Sequence, residues 1–173
     1  MDLVTEEHRK LIGVAGPTLT GAPLSADELR RFVHASMEED AIHWDEASAA
    51  ARGYDTLVAP PLYPLHAIRR APGPPDPLDR FRDDPDWDGA SGRGFGGLPP
   101  VELPLGRTLN GGTEAEFFAL ARVGDAISSQ SRYVSIEERE GRSGPMVVIV
   151  AETEYTNQDG VLLLRVRNTI LRR

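Results

Sequence analysis

The stretch Ser36-Met37-Glu38-Glu39-Asp40-Ala41-Ile42-His43-Trp44-Asp45 gathers carboxylates around one imidazole, just past an apolar run with helical spacing. A histidine changes charge near neutral pH, and beside a carboxylate it can move protons as half of a general acid–base couple. An acidic run is also the ordinary composition of a solvated surface, and a lone histidine more often serves structure. Composition by itself leaves both readings standing.

Other chemistries find no support in the residue types. The four histidines, His8, His34, His43 and His66, fit no familiar metal-ligand spacing, and there is no H-E-x-x-H. No G-x-S-x-G elbow, phosphate loop or dinucleotide fingerprint occurs. Gly92, Gly94, Gly96 and Gly97 do not open a helix after a strand and read as loop. With no cysteine, disulfides, thiolate metal sites and cysteine nucleophiles are excluded together, which fits a reducing compartment.

The elements that must position His43 emerge from pattern. A chain of 173 residues suits one domain spanning 1–173. Ser25, with Glu28 three residues on, forms a capping box before Leu29, Phe32, Val33 and Met37 at helical spacing. A second short helix is predicted from Asp45 to Arg52, ended by Gly53. Leu57 to Pro61 leads into a further helix over Leu62 to Arg70, its regular part confined by Pro64. Residues 71–106, rich in proline and glycine, read as a long loop packed on the body as a lid, with Phe81, Trp87 and Phe95 as apolar anchors.

From Arg107 onward the pattern is β. Ile127 to Glu138, Met146 to Tyr155 and Val161 to Leu171 carry the alternation and β-branched content of strands, with a turn at Asn157-Gln158-Asp159-Gly160. In the last of these Leu162, Leu164, Val166 and Ile170 share one face, and Arg165, Arg167 and Thr169 the other. Helices followed by antiparallel strands indicate an α+β fold.

A net charge of −8 without a basic run argues against nucleic acid or an anionic membrane surface as partner. The acidic start Met1 to Glu7 lacks the apolar run of a signal peptide, and no stretch approaches the ~18 apolar residues that span a bilayer. The expectation is a cytoplasmic protein.

The segment from Ser36 to Pro61 resembles the signature of the MaoC-like, R-specific enoyl-thioester hydratase and dehydratase family. His43-Trp44-Asp45-Glu46 and Leu57-Val58-Ala59-Pro60-Pro61 carry the likeness. Leu11-Ile12-Gly13, Asn110-Gly111-Gly112, Gly124-Asp125, the stretch from Gly141 to Met146, and Thr156 to Gly160 are similar to landmarks of the branch with fatty-acid-synthase-type dehydratase domains.

The resemblance implies a hotdog fold, in which a long central helix starting near Pro60 or Pro61 is wrapped by an antiparallel sheet. It implies hydration or dehydration of an enoyl or 3-hydroxyacyl thioester carried on CoA or an acyl-carrier protein, with no metal or other cofactor. The family's catalytic Asp and His fall on Glu38 and His43. Asp40 stands where the family has Asn, and Ala41 where it has Pro. Glutamate lengthens the arm by one methylene, about 1.5 Å, and a misplacement of that order can cost roughly 100-fold in rate. Pro61 stands near a glycine whose N–H polarises the thioester carbonyl; proline has no N–H, which leaves Leu62 or a partner subunit as donor. Asp40, Pro61, Leu62 and Trp87 are the expected substrate contacts.

The implied assembly is a homodimer or a heterodimer with a second hotdog subunit. Two further roles fit the same resemblance: a non-catalytic subunit that shapes the acyl tunnel of a catalytic partner, and a hotdog thioesterase.

Overall fold

The computed structural model describes residues 2–69, 73, 76, 79–86, 95–141 and 144–173, with Phe95 described in its backbone alone. Trp87, with thirteen other residues of the 71–106 stretch, and the Arg142-Ser143 pair lie outside the described residues.

Helices come first along the chain. Thr5 caps α1 (Glu6–Lys10), and a two-residue strand β1 (Leu19–Thr20) comes next. Ser25 accepts the Glu28 N–H and starts α2 (Ala26–Ser36), as its cap position predicts. The capping box is only half formed, because the Glu28 carboxylate turns away from the helix end to Tyr63 and Arg69. Asp45 caps α3 (Glu46–Ala51) by taking the Ser48 N–H at 2.8 Å.

The long helix expected from Pro60 or Pro61 does not form. One turn, α4 (Pro64–Ala67), stands in its place, and Ile68 is already extended. Proline at 60, 61 and 64 removes N–H donors from this stretch and lets a helix start only at Pro64. Past Ile68 the chain is again rich in proline. A second short helix, α5 (Arg80–Asp83), lies within the predicted loop.

The strands β2 (Thr108–Phe117), β3 (Ser128–Gly141), β4 (Gly144–Thr156) and β5 (Leu162–Arg172) join β1 in one antiparallel sheet, ordered β1-β3-β4-β5-β2. The expected hairpin between the last two segments is present, from Val147 opposite Arg172 to Thr156 opposite Leu162. At the turn Asn157 Oδ1 takes the N–H groups of Asp159 and Val161, and Gln158 reaches back to the buried Asp125 carboxylate. The motif residues Gly124-Asp125 and Asn157-Gln158 therefore tie two loops together.

One face of the sheet carries two apolar clusters. Leu164 and Val166 meet Leu29 and Val33 of α2, with Tyr63 and Ala67 from the α4 region. Tyr133, Ile149 and Ala151 meet Val4, Leu98 and Val101. Side chains alternate across a strand, so the intervening positions face the other way. There Glu152, 3% exposed, is covered by Arg132, Arg165 and Arg167, which form ion pairs with it. These features make a hotdog-type α+β fold in which the central helix has shrunk to a turn.

Tyr63 locks α2 to the α4 region. It is 1% exposed, its ring meets Phe32 edge-on with centroids 5.2 Å apart, and its hydroxyl donates to Glu28 Oε1 at 2.9 Å. Burial, reinforced by the Glu28 carboxylate, pushes its ionisation well above the ordinary tyrosine range.

These contacts make stability measurable at three residues. Leu29, fully buried, should cost about 2–5 kcal/mol on truncation to alanine, and Ser25→Ala about 1 kcal/mol through the lost cap; urea unfolding midpoints measure both. For Tyr63, the native state holds the phenolic proton more tightly than the unfolded chain does. Above about pH 10 the unfolded chain therefore loses it first, and stability falls as pH rises. Tyr63→Phe should lower stability near neutrality by about 1 kcal/mol and flatten that alkaline fall. Equal alkaline slopes in wild type and Tyr63→Phe would rule out Tyr63 as their source.

Candidate active site

The turn that carries the predicted pair begins where α2 ends. Met37 adopts a left-handed conformation (φ 54°), which L side chains enter at a cost, and the chain reverses so that the Glu38 N–H reaches Val33 O at 3.1 Å. Glu38 Oε1 then takes the Glu39 N–H at 3.1 Å and the Asp40 N–H at 3.5 Å. Asp40 caps the single 3₁₀ turn Ala41–His43 through the Ile42 N–H and holds Arg52 at 2.8 Å. That turn fixes His43.

His43 is buried, at 4% exposure, with Nδ1 2.7 Å from the Val58 carbonyl. A carbonyl only accepts, so Nδ1 carries the proton and Nε2 is the nitrogen left to exchange one. The anchor is itself fixed, because residues 57–59 bond along the main chain to 121–123: Ala59 N–H reaches Ala121 O at 2.7 Å, and Val123 N–H reaches Leu57 O at 3.0 Å. Among the described residues no hydrogen bond joins Glu38 to His43.

Glu38 lines a cleft of about 1000 Å³ between α2 and the α4 region. Pro61 and Leu62, two of the expected substrate contacts, line it as well. His43 and Asp40 are not on this wall. Leu62 is half exposed, and among the described residues no acceptor takes its N–H. The far end of the cleft reaches Phe117, the last residue of β2.

Sequence reasoning missed several wall residues. Glu28, Arg31, Phe32 and Ala35 stand on one stripe of α2, facing His66 and Arg69. Their spacing of three and four residues was legible as a helix face, but Glu28 read as a capping residue and Phe32 as core. Tyr63 bonds Glu28 beneath them, and Phe32 also meets the His66 ring at 5.0 Å. Asp27, on the same wall, has its carboxyl ionisation lowered by its hydrogen bond to Arg30 and by the nearby Arg31 charge. The cleft thus mixes fixed charges with an apolar floor. Among the described residues no helix is long and apolar enough to cross a membrane.

Residues 10–166 match the family described as "FAS1-like, dehydratase domain region". No curated protein matches the sequence. Among solved structures, the ChsH1–ChsH2 complex from Mycobacterium tuberculosis is similar, with a TM-score of 0.64 and 17% identity over 91% of this chain and 83% of that one. The HadBC (3R-hydroxyacyl-ACP dehydratase) complex from the same organism gives 0.58 and 20%, over 93% and 96%. The (R)-hydratase from A. caviae involved in PHA biosynthesis gives 0.58 and 15%, over 92% and 94%. At these identities the likeness to solved structures is one of fold, whereas the family match runs along nearly the whole sequence. The chain is a member of the FAS1-like dehydratase-region family, and it shares the hotdog fold of these dehydratase and hydratase structures.

Proposed function

We propose that the chain is one subunit of a hotdog pair that adds water to, or removes it from, the C2–C3 bond of an acyl thioester, with His43 and Glu38 as its acid–base groups. The observation that carries this reading is the His43 ring. It is buried and pinned through Nδ1 to Val58 O, so that only Nε2 is left to handle a proton. In hydration, a base takes a proton from water as its oxygen bonds to C3. The electron pair moves onto the thioester oxygen, and an acid then delivers a proton to C2. The Leu62 N–H is the donor proposed for that oxygen, since Pro61 has none. The substrate arm would be CoA or an acyl-carrier protein, entering along the cleft wall that Glu38, Pro61 and Leu62 share. A second hotdog subunit would close the cleft at Phe117.

A second reading rests on Pro61 and on the position of His43 away from the cleft wall. In it the chain shapes the acyl tunnel, and a partner subunit supplies the catalytic pair.

Loss of the ultraviolet absorbance of an enoyl-CoA, with and without a paired subunit, separates the two. Catalysis by this chain requires His43→Ala and Glu38→Gln to lower turnover by about 10²–10⁴-fold without loss of fold. Glu38→Asp, which restores the family's shorter arm, should stay active. Unchanged turnover in the His43→Ala complex would leave only the tunnel-shaping role.

A further inference from the structure

Asp125 is a buried carboxylate that the proposed reaction does not use. It is 6% exposed, and both of its oxygens are taken. Oδ2 accepts the Arg122 N–H at 2.8 Å. Oδ1 accepts from Gln158 Nε2 at 3.2 Å and from Asn157 Nδ2 at 3.5 Å. The Asp125 N–H returns to Arg122 O at 3.0 Å, closing a turn in which Gly124 has a φ of 98°. A buried carboxylate is tolerated where it is fully bonded, and a fully bonded one holds its neighbours rigidly.

What Asp125 holds is one half of an isolated bridge. Val58 and Arg122 face each other across an antiparallel contact. The hydrogen bonds of that contact run between their neighbours, from Ala59 N–H to Ala121 O and from Val123 N–H to Leu57 O. In a pair of this kind the facing residues turn their own N–H and C=O groups outward, away from each other. On the Arg122 side both outward groups go to Asp125. On the Val58 side the outward carbonyl goes to His43 Nδ1 at 2.7 Å. Asp125 and His43 therefore flank the same pair of residues from opposite sides. The Arg122 guanidinium adds a second tie across it, to Asp55 at 3.0 Å.

The same turn reaches the element that carries Glu38. Gly124 N–H bonds Leu24 O at 2.8 Å and Leu24 N–H bonds Asp125 O at 2.9 Å, immediately before Ser25 caps α2.

We infer that Asp125 is a positioning residue for His43. By fixing Arg122 it fixes Val58, whose carbonyl holds Nδ1 and so aims Nε2. Gln158 and Asn157 support the carboxylate from behind. The effect on turnover rests on the reading of His43 as an acid–base group; the state of the ring is a separate observable.

Ring-nitrogen NMR of the full chain reads that state, with the His43 signal assigned by its loss in His43→Ala. Wild type should hold one tautomer, with the proton on Nδ1. Asp125→Ala takes the acceptor from the Arg122 N–H and should let the ring exchange between tautomers. In the enoyl-CoA assay it should lower kcat roughly 10–100-fold with KM within about twofold, the mark of a misplaced group rather than a lost binding contact. Asp125→Asn keeps an oxygen for Arg122 and should retain the wild-type ring. Tyr133→Phe loses a hydrogen bond to Pro99 O in the other apolar cluster; it controls for lost stability alone and should leave the ring unchanged. An unchanged His43 ring in folded Asp125→Ala would overturn the inference, as would a ring freed equally in Tyr133→Phe. Should Asp125→Ala not fold, amide exchange in wild type decides. The Arg122, Ala59 and Val123 amides should then exchange through one opening, and an Arg122 amide released well before the other two would overturn the inference. A freed ring with unchanged turnover would uphold it and defeat catalysis by His43 instead.

Discussion

Tyr63 is the constraint on which the cleft depends. α2 and the α4 region are separate stretches of chain, and both lie against the same end of the sheet. They are kept in a fixed relation by one buried phenol, whose ring meets Phe32 and whose hydroxyl meets Glu28. A buried hydroxyl needs a partner, because leaving one unsatisfied costs about 1–3 kcal/mol. Glu28 meets that need and is held in turn by Arg69 at 2.9 Å. The carboxylate that could have closed a capping box has been drawn into a contact 35 residues away in sequence. The helix end retains only the Ser25 half of its cap.

That trade shows where the sequence was readable. Interactions closed within a few residues were legible. Asp45 and Ser48 fix the start of α3, and Asn157 fixes the β4–β5 turn through its own side chain. The alternation in β5 survives into the structure, with Leu164 and Val166 in the core and Arg165 and Arg167 in the ion-pair layer. Interactions made through the main chain, or across long separations, were not legible. The edge sealed by residues 12–21 depends on backbone groups with no side-chain pattern to announce them. β2, exposed on both faces, alternates only over its last five residues, Thr113 to Phe117, and could be placed only within a general β region.

The missing long helix obeys the same division. Its expectation came from resemblance, whereas the local residues argued for something shorter. Proline at positions 60, 61 and 64 leaves a stretch that cannot supply consecutive N–H donors. The turn retains the part the core needs: Tyr63, Pro64 and Ala67 buried, with Leu62 and His66 left at the cleft. Packing against the sheet has been kept while helix length has been lost.

The candidate site divides along the same line. His43 belongs to the frame: its ring is held by the carbonyl of Val58, which is placed by main-chain pairing of residues 57–59 with 121–123. Glu38 belongs to the cleft, on a turn set by the left-handed Met37. An acid–base couple needs both groups within reach of one water, and geometry decides this before pKa does. The cleft, for its part, ends at Phe117, on the β2 edge, which among the described residues pairs with β5 alone. A strand paired along β2, as the two-subunit reading requires, would wall the apolar end of the cleft at Phe117.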